Sequence, residues 1–276
     1  VGYVHPFLAP PPDPETNKNL TNALPVDAAL GLVDYYETVG FADHRASADV
    51  WYKLLNCGAR IATAGGTDAM ADYASLRGPV GLNRTYVRVT GGAETAAERR
   101  DSWIAGLKAG ASMSSNGPLV GLTVNGEYPG SEIALADRDE EVSFSATLRS
   151  AVPVDHLELV FNGEVIETFG TGADKRSIDV SGSVAIRGSG WLLLRAWSEA
   201  AHPMLLDIYP YATTSPIYVT VKNKAPKSAE AADYFLAWID NIRSAVTSRT
   251  DFNSDHERRI VLSHLDEAEA YYQRCR

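Results

Sequence analysis

The spacing of apolar positions changes character twice along this chain. At the start, short apolar runs alternate with stretches of helical period. Val1 to Val4 is an apolar run stopped at His5-Pro6, and the proline-rich segment from Ala9 to Asp13 then reads as loop. Residues 25–31 suit a short helix closed by Gly31, and VDYYETV over residues 33–39 suits a second strand. From Ala46 to Asn56 apolar residues recur at helical spacing, which predicts a helix with Ser47 as its N-cap and Gly58 as its terminator. A third strand over residues 60–64 runs into Gly65-Gly66-Thr67-Asp68. Strand, helix, strand, helix, strand with short connections predicts a parallel sheet, and such sheets hold their sites at the carboxyl ends of the strands. A strand at residues 85–90 and a helix over 93–109, closed by Gly110, follow.

Near Gly117-Pro118 the period becomes two. Residues 119–124, 141–148, 157–161, 176–186, 191–197 and 217–221 alternate as strands do, with Asn125-Gly126 and Asn162-Gly163 as turn signals. Short strands at this spacing predict an antiparallel β-sandwich. After Lys224-Ala225-Pro226 the period returns to 3.6, with apolar stripes over residues 229–246 and 254–274 that predict a helical pair. The expected organisation is therefore an α/β part over residues 1–117, an all-β sandwich over 118–224 and a helical tail over 225–276.

A length of 276 residues is enough for about two such domains with real cores. The formal charge of -10 argues against a nucleic-acid partner, because phosphate backbones are held by clustered Lys and Arg. No apolar run of about 18 residues is present, so no membrane span is expected. The only two cysteines, Cys57 and Cys275, fall in segments read as separate domains and indicate neither a disulfide framework nor a thiolate zinc site. They leave the redox compartment open. The opening VGYVHPF reads as the end of a buried strand without a basic or apolar leader, so an N-terminal piece is expected upstream.

The candidate chemistry lies at the ends of the first three strands. His5, Glu37 and Asp68 fall on one expected rim, and an imidazole with two carboxylates is a ligand set for divalent cations. Each has a plainer alternative. A histidine before proline is often a hydrogen-bonded structural residue, Asp68 after a tight Gly-Gly turn has the plainer reading of an N-cap, and Glu37 reads as either a direct ligand or an outer carboxylate. Arg77 and Arg84 flank Gly78-Pro79-Val80-Gly81 and read either as a guanidinium clamp for an anionic substrate group or as surface residues. His44 reads as a pocket residue or an exposed loop histidine. His156, His202, His256 and His264 suggest no site, and Trp191, Trp197, Trp238 and Tyr272 read as core.

The strings GYVHPF, NALPVDAALGLVDYYETVGFADH, VWYKLLNCGARIATAGGTDAM, LRGPVGLNRTYVRV and WIAGLKAGASMSSNGPLVGLTVNGEYPG resemble the CehA/McbA-type metallohydrolases of the PHP (polymerase and histidinol phosphatase) superfamily. The resemblance runs from the first residue into the expected sandwich. It implies the C-terminal part of a PHP-type (β/α)7 barrel that binds divalent metal ions (Zn, Mn or Fe) and hydrolyses ester, amide, carbamate or phosphoester bonds of a small-molecule substrate. By the same resemblance His5 and Asp68 match metal ligands, and Glu37 matches the acidic residue between them. The pattern departs at Met70, where the family has a histidine, and in lacking any His-x-His, which the family carries in the N-terminal half of the barrel. The alternative to a hydrolase is a non-catalytic binding or interaction protein that uses the β-sandwich beside a degenerate barrel.

Overall fold

The computed structural model describes residues 1–7, 13–40, 43–70, 78–92 and 94–276. Strands β1 (Gly2–Tyr3), β2 (Tyr35–Val39) and β3 (Ala62–Gly65) pair in parallel in that order, and helices α1 (Leu24–Ala29) and α2 (His44–Asn56) lie between them in sequence. This is the arrangement the apolar spacing predicts. One local expectation is corrected: Asp43, not Ser47, caps α2, its carboxylate accepting from the Ala46 amide at 2.9 Å. The helix begins earlier because His44 is pulled inward against Tyr209 and Tyr211, which puts Ser47 inside the first turn and buries it.

Next come β4 (Arg84–Val87), helix α3 (Ala96–Lys108) and β5 (Ser112–Ser115). Thr95 and Glu98 form a reciprocal capping box at the start of α3, satisfying two amides that would otherwise lack partners. Strands β6 (Leu119–Val124), β7 (Glu132–Leu135), β8 (Glu140–Arg149), β9 (His156–Phe161), β10 (Glu164–Phe169), β11 (Ser177–Ile186), β12 (Gly190–Trp197), β13 (Tyr211–Thr214) and β14 (Ile217–Val221) follow. Most pairings among them are antiparallel. Asn162-Gly163 turns β9 into β10 with positive φ at both residues (55° and 95°), as the hairpin signal predicts.

These strands make two layers. An eight-stranded sheet runs β10-β9-β12-β13-β5-β4, with β14 beside β12 and β7 beside β14, and a three-stranded sheet runs β11-β8-β6. Val120, Leu122, Phe144, Ala146 and Leu148 of the smaller sheet share one core with Leu157, Leu159, Leu192, Leu194 and Val219 of the larger. The larger sheet takes β4 and β5 from before residue 117 and β13 from after it, Ala212 pairing with Ser115. Strand β12 is apolar almost throughout because both its faces are covered: Leu192 and Leu194 face the sheet core, while Trp191 and Leu193 face a second core.

That second core joins the parallel sheet to the tail. Helices α4 (Ala229–Ser248) and α5 (Asp255–Cys275) each start on a capping serine, Ser228 and Ser254. Their apolar stripes, through Phe235, Trp238, Ile239, Leu265 and Tyr272, meet Phe7, Leu24, Tyr36, Trp51 and Trp191. Trp238 donates to the Asn22 carbonyl at 3.1 Å and Tyr272 to the Pro25 carbonyl at 2.9 Å. The tail is thus a wall of the α/β part. Among the described residues no helix is long and apolar enough to cross a membrane.

Candidate functional site

The carboxyl edge of the parallel sheet is built from three short pieces of chain. His5 follows β1, Glu37 is the third residue of β2, and Asp68 follows β3. Side-by-side pairing of β1 with β2 and of β2 with β3 brings the three to one rim although 63 residues separate the outer two. His5 Nε2 stands 4.0 Å from Asp68 Oδ2, with the two side chains 40% and 38% exposed. Glu37 is 6% exposed, and its Oε2 accepts a hydrogen bond from the His5 backbone amide.

The backbone is shaped around that carboxylate. A Cβ on Gly66 would fall 2.5 Å from Glu37 Oε1, and one on Gly40 would fall 2.5 Å from Oε2, so a side chain at either position would push the Glu37 carboxylate aside. His5 and Asp68 both lie at positive φ (30° and 54°), a conformation that costs non-glycine residues energy and is met at sites where side chains must be aimed. The Glu37 bond to its amide holds His5. Asn83 holds the other side: its Nδ2 donates to the Gly40 carbonyl at 3.0 Å and the Gly66 carbonyl at 3.2 Å, and Thr67 Oγ1 accepts from the Asn83 amide at 2.8 Å. Asn83 Oδ1 is buried with no hydrogen-bond partner among the described residues.

Burial pushes the Glu37 carboxyl above its ordinary value, against the pull of the His5 amide bond and the His5 charge. An acidic group under such strain gains from a nearby cation. Thr38 of β2, Thr63 of β3, Ser112 and Ser114 of β5, and Ser215 just after β13 form a buried hydroxyl seam, with Thr38 Oγ1 2.9 Å from Ser114 Oγ. The seam ties the rim to the large sheet.

Imidazole plus carboxylate is a donor pair that zinc, manganese and iron accept. Two donors about 2.1 Å from a shared tetrahedral ion stand about 3.4 Å apart, so His5 and Asp68 need to close by roughly 0.6 Å. The pair fits a divalent cation in type and nearly in spacing. Among the described residues, however, no three His, Cys, Asp or Glu side chains converge on one ion position. Glu37 is turned toward the His5 amide. No protein-family model matches this chain, and no curated protein or solved structure matches it significantly.

Arg77 lies outside the described residues. Arg84 runs along β4, donates to the Tyr86 hydroxyl at 3.0 Å and borders a groove with Arg149 and Arg176. His44, the first residue of α2, is 2% exposed between Tyr209 and Tyr211, with ring centroids 5.4 and 5.5 Å away. Burial lowers its pKa to about 4, so it is neutral near pH 7. His156 stacks on Trp197 at 4.0 Å, and His202 accepts from the Met204 amide. Sequence reasoning missed Asn83 and Gly40. The one signal for Asn83 was a polar residue directly before a strand in Leu82-Asn83-Arg84-Thr85.

Proposed function

We propose that this chain is part of a metal-dependent hydrolase acting on an ester, amide, carbamate or phosphoester bond, with His5 and Asp68 as two of its metal ligands. The supporting observation is the meeting of an imidazole and a carboxylate at 4.0 Å on the carboxyl edge of a parallel sheet. His5 offers Nε2 to the ion, Asp68 offers its carboxylate, and Glu37 stands behind them and fixes the His5 backbone. A divalent cation bound there would lower the pKa of a coordinated water to about 7 and polarise the scissile carbonyl or phosphoryl oxygen. The remaining ligands are those the PHP resemblance implies, on the other half of a (β/α)7 barrel.

Elemental analysis of the purified protein tests this. His5→Ala and Asp68→Ala should each strip most of the bound zinc, manganese or iron, while His264→Ala, on the exposed side of α5, should keep it. Equal metal in all three variants would dispose of the assignment. A second reading, a non-catalytic binding protein, is favoured by an apolar groove of about 490 Å³ between the two β layers, lined by Val87, Met113, Leu122 and Tyr128 among others. Metal retention without hydrolysis of any ester, amide or phosphate substrate by the chain joined to its barrel half would favour that reading.

A further inference from the structure

Cys57 and Cys275 are 218 positions apart, and the sequence alone sets them in separate domains. The fold brings them together. Cys57 is the C-cap of α2 and Cys275 is the last residue of α5, and both are buried, at 3% and 7% exposure. Cys275 Sγ is 3.2 Å from the Cys57 carbonyl oxygen. A carbonyl oxygen is about 2.4 Å from its own Cα. The Cys275 sulfur therefore lies at most about 5.6 Å from the Cys57 Cα, and a hydrogen bond joins the two thiols directly, so the sulfurs face each other at a separation that small side-chain shifts close to a disulfide.

The surroundings keep the pair in place. Tyr271 donates its hydroxyl to the Cys57 carbonyl at 2.7 Å, and the Ser228 amide donates to the Cys275 carbonyl at 2.9 Å, so the ends of α2 and α5 and the start of α4 meet at one point. A hydrogen bond with the Cys57 thiol holds the Cys275 thiol below its ordinary value; burial opposes this, and the charges of Arg274 and Lys227 assist it. Cys275 is accordingly the thiolate that attacks.

We propose that Cys57 and Cys275 are a modification site that closes into an intramolecular disulfide when the folded chain meets a small-molecule disulfide oxidant. The Cys275 thiolate attacks one sulfur of the oxidant, forming a mixed disulfide and releasing one thiolate. The Cys57 thiol then gives up its proton and attacks Cys275 Sγ, forming the Cys57–Cys275 bond and releasing the second. Both cysteines are oxidised, the oxidant is reduced to two thiols, and the two cysteine protons end on those thiols. The bond clasps the tail to the α/β part and closes a loop spanning 218 positions of the chain, which constrains the unfolded state strongly.

Native protein is equilibrated with oxidised and reduced glutathione at an oxidising ratio, quenched in acid, denatured and treated with a thiol-alkylating reagent, and its intact mass is read. The expected product is a monomer two hydrogens lighter that takes up no label, with a melting temperature roughly 10 °C above the reduced form. Cys57→Ser and Cys275→Ala should each abolish both changes. Two labelled thiols in the wild-type protein after equilibration, a lasting glutathione adduct or a disulfide-linked dimer would overturn the assignment. The wild-type mass alone decides it, whether or not the variants fold.

Discussion

Replacing Trp238 by alanine tests whether the tail truly supports the rim. The indole is fully buried, with its ring 5.9 Å from Phe7, 6.0 Å from Tyr234 and 6.3 Å from Phe235. Phe7 is two residues past His5, so the ring braces the strand end that carries the proposed ligand. Truncating a large buried aromatic costs about 3–5 kcal/mol, through lost transfer energy and the cavity left behind. The lost bond to the Asn22 carbonyl adds little, because Asn22 is exposed and water replaces the indole donor. The expected loss is therefore about 4 kcal/mol, a large share of the roughly 5–15 kcal/mol that holds a typical fold. Urea unfolding followed by far-ultraviolet circular dichroism measures it. Trp238→Ala should lower the midpoint in one transition, Trp238→Phe should lose about half as much, and Trp238→Ala should bind zinc more weakly than wild type. A loss under about 1 kcal/mol, or a tail that melts alone at low urea, would refute the shared core.

Two other perturbations follow from the same structure. Arg195 and Glu158 form a mostly buried ion pair at 2.6 Å, with Trp197 Nε1 donating to the same carboxylate oxygen at 3.1 Å; Glu158→Ala should cost about 3–5 kcal/mol by leaving a buried guanidinium unpaired, and a urea-derived loss below about 1 kcal/mol would contradict that. Glu37 has a raised folded pKa, so the folded state binds its proton more tightly than the unfolded chain does. Its contribution to stability is present below the ordinary carboxylate pKa and is lost as pH rises through the raised one. The stability of wild type minus that of Glu37→Gln should therefore fall as pH rises from about 4, the ordinary carboxylate range, without metal, and a flat difference would count against a desolvated carboxylate.

The legible parts of this fold were those where burial follows a period. The parallel sheet and α2 could be read because each has one buried pattern bounded by glycine or proline, and α4 and α5 because their stripes repeat over many turns. Strands β5 and β13 went unread because SMSS and YATT carry no apolar alternation. Their serine and threonine hydroxyls are buried and bond to other segments, Ser114 to Thr38 and Ser112 to Ser215, and the two strands meet through backbone pairing across 97 residues or more of chain. The cysteine pair failed for the same reason, since nothing local to Cys57 points to Cys275. In the candidate site, residue type gave His5, Glu37 and Asp68, but the glycine cradle and the Asn83 clamp exist only once the strands are side by side.

The most direct test is anomalous diffraction from crystals of the chain soaked in zinc, recorded above and below the zinc absorption edge. The account predicts a difference peak about 2.0–2.2 Å from both His5 Nε2 and Asp68 Oδ2, with Glu37 still bonded to the His5 amide. An ordered His5 and Asp68 with no peak between them, or zinc found only on the helical tail near His256 and His264, would contradict it.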